Sequence, residues 1–163
     1  MAALNIRYAT LADLDACYEI ESACFLPSEA ASRAAIETRI TTFPQGFLVA
    51  ELNGNVVGQL NSGATNLDDL TNEEFKQLIG HDPHGKHLVI FSLAVLPGSQ
   101  RQGIAGRLLR QYLYDAERSG RAAVLLLCKS PLIGFYQRFD FVDHGKSAST
   151  HGGYEWHEMA RIF

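Results

Sequence analysis

Residues Ser92 to Arg110 read SLAVLPGSQRQGIAGRLLR. An apolar run ends in Leu93-Ala94-Val95, Pro97-Gly98 marks a turn, and Ile104, Leu108, Leu109, Tyr112, Leu113 and Ala116 recur at mostly three- and four-residue spacing. This predicts a strand, a glycine-bearing loop and an amphipathic helix of about four turns. The first N–H groups of such a helix have no intrahelical partners. The helix dipole adds partial positive charge at the same end. Gly103, Ala105 and Gly106 carry little or no side chain, so a pyrophosphate-sized anion can approach the backbone. Two common phosphate loops do not fit. G-x-x-x-x-G-K-[ST] needs a Lys that does not follow Gly103, and G-x-G-x-x-G belongs after the first strand of a βαβ unit, whereas this loop comes late.

The flanks alternate between strands and helices. Asn5–Thr10 has the period of a strand, and Thr10 with Asp13 makes an N-terminal capping pair for a helix carrying Leu11, Leu14, Cys17 and Tyr18. Ser28 or Ser32 caps a second helix to about Thr41, stopped by Pro44. Gly46–Leu52 and Val56–Leu60 read as strands joined by Asn53-Gly54, a type I′ hairpin signal. Residues 61–86 are polar and irregular, with a short helix expected at Glu73–Ile79. Strands follow at His87–Val95, Ala122–Cys128, Phe141–Ser147 and Tyr154–Ile162, with Gly120 ending the long helix and a short helix at Leu132–Phe139. No linker or repeat interrupts the order, so we read residues 1–163 as a single α/β domain around one sheet.

Composition narrows the class. Of 163 residues, 47% are apolar and 20% charged, the balance of a globular chain that needs no disulfides to close a core. The net charge of −4 argues against nucleic acid as a partner. Apolar runs are strand-sized, which excludes a membrane span, and Met1–Arg7 lacks the pattern of a signal peptide. Cys17, Cys24 and Cys128 are odd in number and have no zinc-ligand spacing, so a cytoplasmic protein without a metal is expected. The charge is uneven: residues 1–97 hold 5 basic and 12 acidic side chains, and residues 98–163 hold 9 basic and 6 acidic.

The pattern that does fit the central loop is Q-x-x-G-x-A at Gln100, Gly103 and Ala105. It resembles the acetyl-CoA motif [RQ]-x-x-G-x-[GA] of the GNAT superfamily of N-acetyltransferases. Leu93-Ala94-Val95 before it, Phe135-Tyr136 in a short helix and Phe141-Val142 restarting a strand fall in the family's order, although Asp140 replaces the Gly that usually precedes Phe. Cys24–Ser32 (CFLPSEAAS), His81-Asp82-Pro83-His84-Gly85, Leu126-Leu127-Cys128 and Trp156-His157-Glu158-Met159 are similar to stretches of the arylalkylamine N-acetyltransferases and their microbial relatives. The resemblance implies a mostly antiparallel, twisted sheet of about seven strands splayed around an acetyl-CoA site and flanked by helices. It implies direct attack of a primary amine, an arylalkylamine or polyamine, on acetyl-CoA in a ternary complex, by a monomer or homodimer.

The resemblance also assigns roles. Tyr136 becomes the acid that protonates the leaving thiolate. The backbones of Leu93, Ala94 and Val95 bind the pantetheine arm and supply an oxyanion donor. Arg101, Gln102, Gly103, Ile104, Ala105 and Gly106 hold the pyrophosphate, with charge from Arg101 and Arg107. Phe25, Pro27, Tyr154 and Trp156 wall the acceptor pocket. The base stays open. The animal enzymes carry two strand histidines where Val89 and Phe91 stand here, leaving His87, on the same strand face, and Glu29, as base or amine anchor. Each also has an ordinary reading: Tyr136, Phe25 and Trp156 as core aromatics, Arg107 as a solvated helix residue, and the glycines as packing at a tight junction. The alternatives kept are a peptide N-terminus or protein lysine as acceptor, a CoA-binding protein without catalysis, and an unrelated regulatory module.

Overall fold

The computed structural model describes residues 3–67 and 70–163. Its strands are β1 (Leu4–Tyr8), β2 (Phe47–Leu52), β3 (Asn55–Thr65), β4 (His87–Val95), β5 (Ala123–Cys128), β6 (Val142–Lys146) and β7 (His157–Ile162). The helices are α1 (Leu14–Cys24), α2 (Arg33–Thr42), α3 (Ile104–Arg118) and α4 (Ile133–Gln137). The seven strands form one sheet in the order β1-β2-β3-β4-β5-β7-β6. β1–β2, β2–β3, β5–β7 and β6–β7 are antiparallel, and β4–β5 is parallel with His87–Ile90 against Ala123–Leu126. The chain packs as two compact units, residues 1–62 with 92–112 and residues 63–91 with 113–163, whose boundaries fall inside β3, β4 and α3. Among the described residues no helix is long and apolar enough to cross a membrane.

In the first unit the sequence signals act as expected. The Asp13 carboxylate accepts from the Thr10 N–H at 2.8 Å and from Arg7 at 2.8 and 2.9 Å, fixing the entry to α1. Arg7 holds that carboxyl below its ordinary value. Ser32, not Ser28, caps α2 and accepts from the Ala35 N–H at 3.1 Å. Asn53 and Gly54 both have positive φ, 53° and 86°, which the hairpin turn requires. Leu14, Cys17, Ile36, Ile40, Phe47 and Val49 form the buried core.

The largest departure from the sequence reading is at β3, which runs on through Thr65 instead of ending at Leu60. Asn61 and Ser62 look like loop residues, yet both are buried. Each makes one side-chain hydrogen bond: Asn61 Oδ1 accepts from Arg39 at 3.0 Å, and Ser62 Oγ donates to the Gly46 carbonyl at 2.8 Å. Burial of polar groups is tolerated where such bonds are made. The remainder of the expected 61–86 loop includes Asp68 and Asp69, which lie outside the described residues. The helix expected there is a 3-10 turn, Glu73–Gln77, closed by Leu78 in a left-handed conformation. β7 begins at His157 rather than Tyr154, because a 3-10 turn at His151–Gly153 precedes it.

The His81–Gly85 stretch is a clip inside the second unit. His81 Nδ1 accepts from the Ala64 N–H at 2.9 Å, and the Asp82 N–H donates to the Ala64 carbonyl at 2.9 Å. Gly85 lies so close to the Thr65 backbone that a Cβ would overlap it. Arg121 donates to the Gly85 and Pro83 carbonyls, at 2.5 and 2.9 Å. Burial pushes the His81 imidazole below its ordinary value of 6.5, and only an unprotonated Nδ1 can accept from Ala64. The stabilisation is therefore complete above 6.5 and fades as pH falls through the lower folded value. We expect His81→Ala to cost about 1–3 kcal/mol at pH 8 by urea denaturation, because it leaves a buried N–H without its acceptor. The difference from wild type should shrink below pH 6; a constant difference would show that the imidazole does not act this way.

Candidate active site

The loop between β4 and α3 is set by one carbonyl. Val95 O accepts from Gln100 Nε2 at 2.9 Å and from the Cys24 thiol at 3.2 Å. The glutamine of the Q-x-x-G-x-A pattern thus folds back on the strand end and closes the Leu96–Gln100 turn. The Leu96 N–H donates to Val57 O at 2.8 Å, tying the turn to β3. Arg101 and Gly103 then take left-handed φ of 64° and 78°. Left-handed residues set close together turn backbone N–H groups toward one side and form an anion-binding concavity. The Arg107 N–H makes the first helical bond, to Gly103 O at 3.1 Å, so the preceding N–H groups remain outside the helix ladder. Arg101, Gln102, Gly103 and Arg107 are exposed, Ala105 and Gly106 half-buried, and Ile104 is anchored in the interior. Leu93 is half-buried, with Ala94 and Val95 buried on either side of the strand end.

Beneath this loop the first unit holds a polar interior that the sequence reading missed. Glu21 is 3% exposed, and its carboxylate accepts from Gln59 Nε2 at 3.1 Å, Ser92 Oγ at 2.8 Å and the Ala31 N–H at 2.9 Å. Arg39 is equally buried, which pushes its guanidinium down to about 10 while the Glu21 charge opposes that shift. Glu21 therefore ties α1 to β3, to β4 one residue before Leu93, and to the segment between α1 and α2. That segment carries Phe25, Pro27 and Glu29. Phe25 is half-buried, Pro27 exposed, and Glu29 half-buried with its Oε2 shielded from solvent. A helical Glu at this position looks like surface decoration in sequence. Its only signal was its place on the apolar face, after Leu14, Cys17 and Ile20.

The second unit holds the other candidates. Tyr136 on α4 is buried, stacked edge-on against Phe135 and Phe141 with centroids 5.1 and 5.6 Å apart. Burial, with a smaller push from Cys128, raises its phenol well above the ordinary value, so it keeps its proton. His87 stands half-buried at the start of β4, its Nδ1 3.4 Å from Leu67 O. Val89 and Phe91, further along the strand, join an apolar cluster with Leu70, Phe75, Leu125 and Leu127. Trp156 and Tyr154 make an aromatic corner that already contains a cation: Lys129 Nζ lies 3.9 Å from the Tyr154 centroid and 5.7 Å from that of Trp156.

The model of the acetyltransferase (GNAT) family matches residues 14–141. The chain belongs to this family. Among curated GNAT relatives, the uncharacterized N-acetyltransferase YkwB of Bacillus subtilis is 28% identical over 135 residues, 76% of this chain and 59% of that protein. The chain spans less than two thirds of the length of the curated relatives it matches first. Among solved structures, the GphF GNAT-like decarboxylase in complex with isobutyryl-CoA superposes with a TM-score of 0.84 at 22% identity, covering 97% of this chain and 98% of that one. The ribosomal-protein-S18-alanine N-acetyltransferase of Escherichia coli gives 0.70 at 20% identity, covering 98% and 94%. These two similarities speak for the GNAT fold.

The donor set of the loop suits the phosphates of CoA. Gly103, Ala105 and Gly106 leave the backbone N–H groups of the helix start little obstructed by side chains, and Arg101 and Arg107 are exposed cations at the same turn. The Glu21 network, which reaches β4 at Ser92, is open to test. Glu21→Gln turns one acceptor oxygen into a donor facing other donors. We expect it to cost about 1–3 kcal/mol of stability at pH 7 by urea denaturation, the scale for an unsatisfied buried polar group. A change within about 0.5 kcal/mol, the range of ordinary surface substitutions, would show that the carboxylate is not needed.

Proposed function

We propose that this chain transfers the acetyl group of acetyl-CoA to a primary amine by direct attack within a ternary complex. The observation that carries this reading is the Gln100–Gly106 loop, closed on Val95 and opened toward an anion by left-handed Arg101 and Gly103, in a chain of the GNAT family. The N–H groups of Arg101–Gly106 bind the pyrophosphate, the β4 backbone at Leu93, Ala94 and Val95 binds the pantetheine, and an N–H near Leu93 stabilises the oxyanion. Tyr136, kept protonated by burial, is the proton donor to the leaving sulfur.

For the acceptor we favour a small amine, an arylalkylamine or polyamine. Phe25 and Pro27 offer apolar surface beside the Glu29 carboxylate, a fitting anchor for an ammonium group. The aromatic corner at Tyr154 and Trp156 is less suited to a second cation, since Lys129 fills it. A second reading, removal of CO2 from an acyl-CoA bearing a free β-carboxylate, is favoured by the TM-score of 0.84 to the GNAT-like decarboxylase. It also suits the apolar side chains Val89 and Phe91, which cannot take an amine proton.

Free CoA release from acetyl-CoA should be followed with tryptamine, phenethylamine, spermine and N-terminal peptides, and CO2 release with carboxyacyl-CoA thioesters. Turnover with small amines is the expected result. Turnover with peptides alone, or CO2 release alone, would replace this reading by the corresponding alternative. Tyr136→Phe should lower kcat about 10²–10⁴-fold, the range for lost general acid catalysis. CoA affinity by calorimetry should stay within a factor of about three and weaken as salt rises. An unchanged kcat would remove Tyr136 from the acid role.

A further inference from the structure

The first unit holds two buried amides whose hydrogen-bonding capacity is only half used. Gln59 and Asn61 lie two residues apart on β3, both 0% exposed, and strand alternation puts them on one face of the sheet. Their partners across the ladder are Val49 and Phe47, so β2 offers only apolar side chains beside them. Gln59 Nε2 donates to Glu21 Oε1 at 3.1 Å, and Asn61 Oδ1 accepts from Arg39 Nη1 at 3.0 Å. These bonds fix which way each amide points. A guanidinium has donors only, so Asn61 must present its oxygen to Arg39. Turning Gln59 over would set its oxygen against Glu21 Oε1, which already accepts from the Ser92 hydroxyl.

What remains is one acceptor and one donor. Gln59 Oε1 and Asn61 Nδ2 are shielded from solvent, and among the described residues neither has a hydrogen-bond partner. A buried polar group left in that state costs its full desolvation, and native interiors avoid it. The two atoms are opposite in kind, which selects what can serve both. A chloride ion could take the Asn61 N–H but has nothing to donate to Gln59. A metal ion or an ammonium ion could meet the Gln59 oxygen but cannot accept from Asn61. The amides lie between the Glu21 carboxyl and the Arg39 guanidinium, an environment that favours neither an anion nor a cation. Water both donates and accepts, and buried polar sites of this kind are where internal waters are held. Residues two apart on a strand stand about 7 Å apart. One water spans that scale with hydrogen bonds of about 2.7–3.2 Å on each side.

We propose that Gln59 and Asn61 bind one internal water, which accepts from Asn61 Nδ2 and donates to Gln59 Oε1. The water closes a hydrogen-bonded chain that runs from Ser92 through Glu21 and Gln59 to Asn61 and Arg39. The chain joins β4, α1, β3 and α2 within the first unit. The water is a structural ligand of that unit, and the inference stands apart from the acetyltransferase reading, because no step of the chemistry passes through it.

The test uses the whole chain, in solution by NMR and in a crystal structure at about 1.5 Å resolution. In wild type, the side-chain amide protons of Asn61 should give a cross peak to water with the sign of a long-lived bound molecule. The crystal should show one solvent density within about 3.2 Å of both Gln59 Oε1 and Asn61 Nδ2. Gln59→Met removes the acceptor and keeps the length of the side chain, so cross peak and density should both be lost. A wild-type Asn61 amide without the cross peak, a site without density, an ion identified there by its anomalous signal, or a direct bond from Asn61 Nδ2 to Gln59 Oε1 overturns the proposal. Cross peak and density that persist in Gln59→Met overturn it as well. If Gln59→Met does not fold, the two wild-type measurements decide.

Discussion

The Glu21 carboxylate is the constraint around which the first unit is arranged. A buried charge is tolerated only when its desolvation is offset by hydrogen bonds or an opposite charge. Here three donors converge on it from β3, β4 and the α1–α2 segment, and buried Arg39 contributes the opposing charge. None of these elements can shift without leaving part of the carboxylate unpaired. Two of them matter for chemistry. Ser92 precedes Leu93 on the strand proposed to bind pantetheine, and Ala31 ends the stretch that carries Phe25, Pro27 and Glu29. One buried carboxyl group thereby ties together the strand and the segment proposed to face the acceptor.

The two units carry different kinds of group. The first supplies fixed backbone dipoles: a carbonyl held by Gln100 and Cys24, then left-handed turns that aim N–H groups outward. Such groups bind an anion without themselves titrating. The second unit holds buried Tyr136 and the hydrogen-bonded Asp143–His157 pair. The uneven charge of the sequence follows a related division. The basic excess after residue 97 begins with Arg101, Arg107 and Arg110 around the loop proposed to bind the CoA phosphates, and the acidic excess before it includes Glu29 on the proposed acceptor side. A net charge of −4 conceals this.

Much of the fold was legible because local rules acted unopposed. The hairpin at Asn53-Gly54, the Thr10–Asp13 cap, the α3 stripe and the uninterrupted apolar run of β5 all rest on short-range geometry, and all stand in the structure. The errors fell where polar residues are buried. β3 was cut short at Leu60 because Asn61 and Ser62 have the composition of a loop; Arg39 and Gly46 supply the partners that admit them to a strand. Likewise, the His81–Gly85 stretch is a clip around β3, visible only once its bonds to Ala64 and Arg121 are seen.

By itself, the sequence determined the order of elements, the glycine-bearing loop between β4 and α3 and the family, since each depends on residues near one another in the chain and on their spacing. Tertiary structure alone decided which polar side chains are interior and which titratable groups meet. Glu21 and Ser92 are far apart in sequence, and Asp143 reaches His157 only through the β6–β7 register and its irregularity. Lys129 finds the Tyr154 and Trp156 rings in the same way. The physical reason is common to all three. Hydrogen bonds, ion pairs and cation–π contacts act over a few ångströms, and only the folded backbone sets which distant residues come that close.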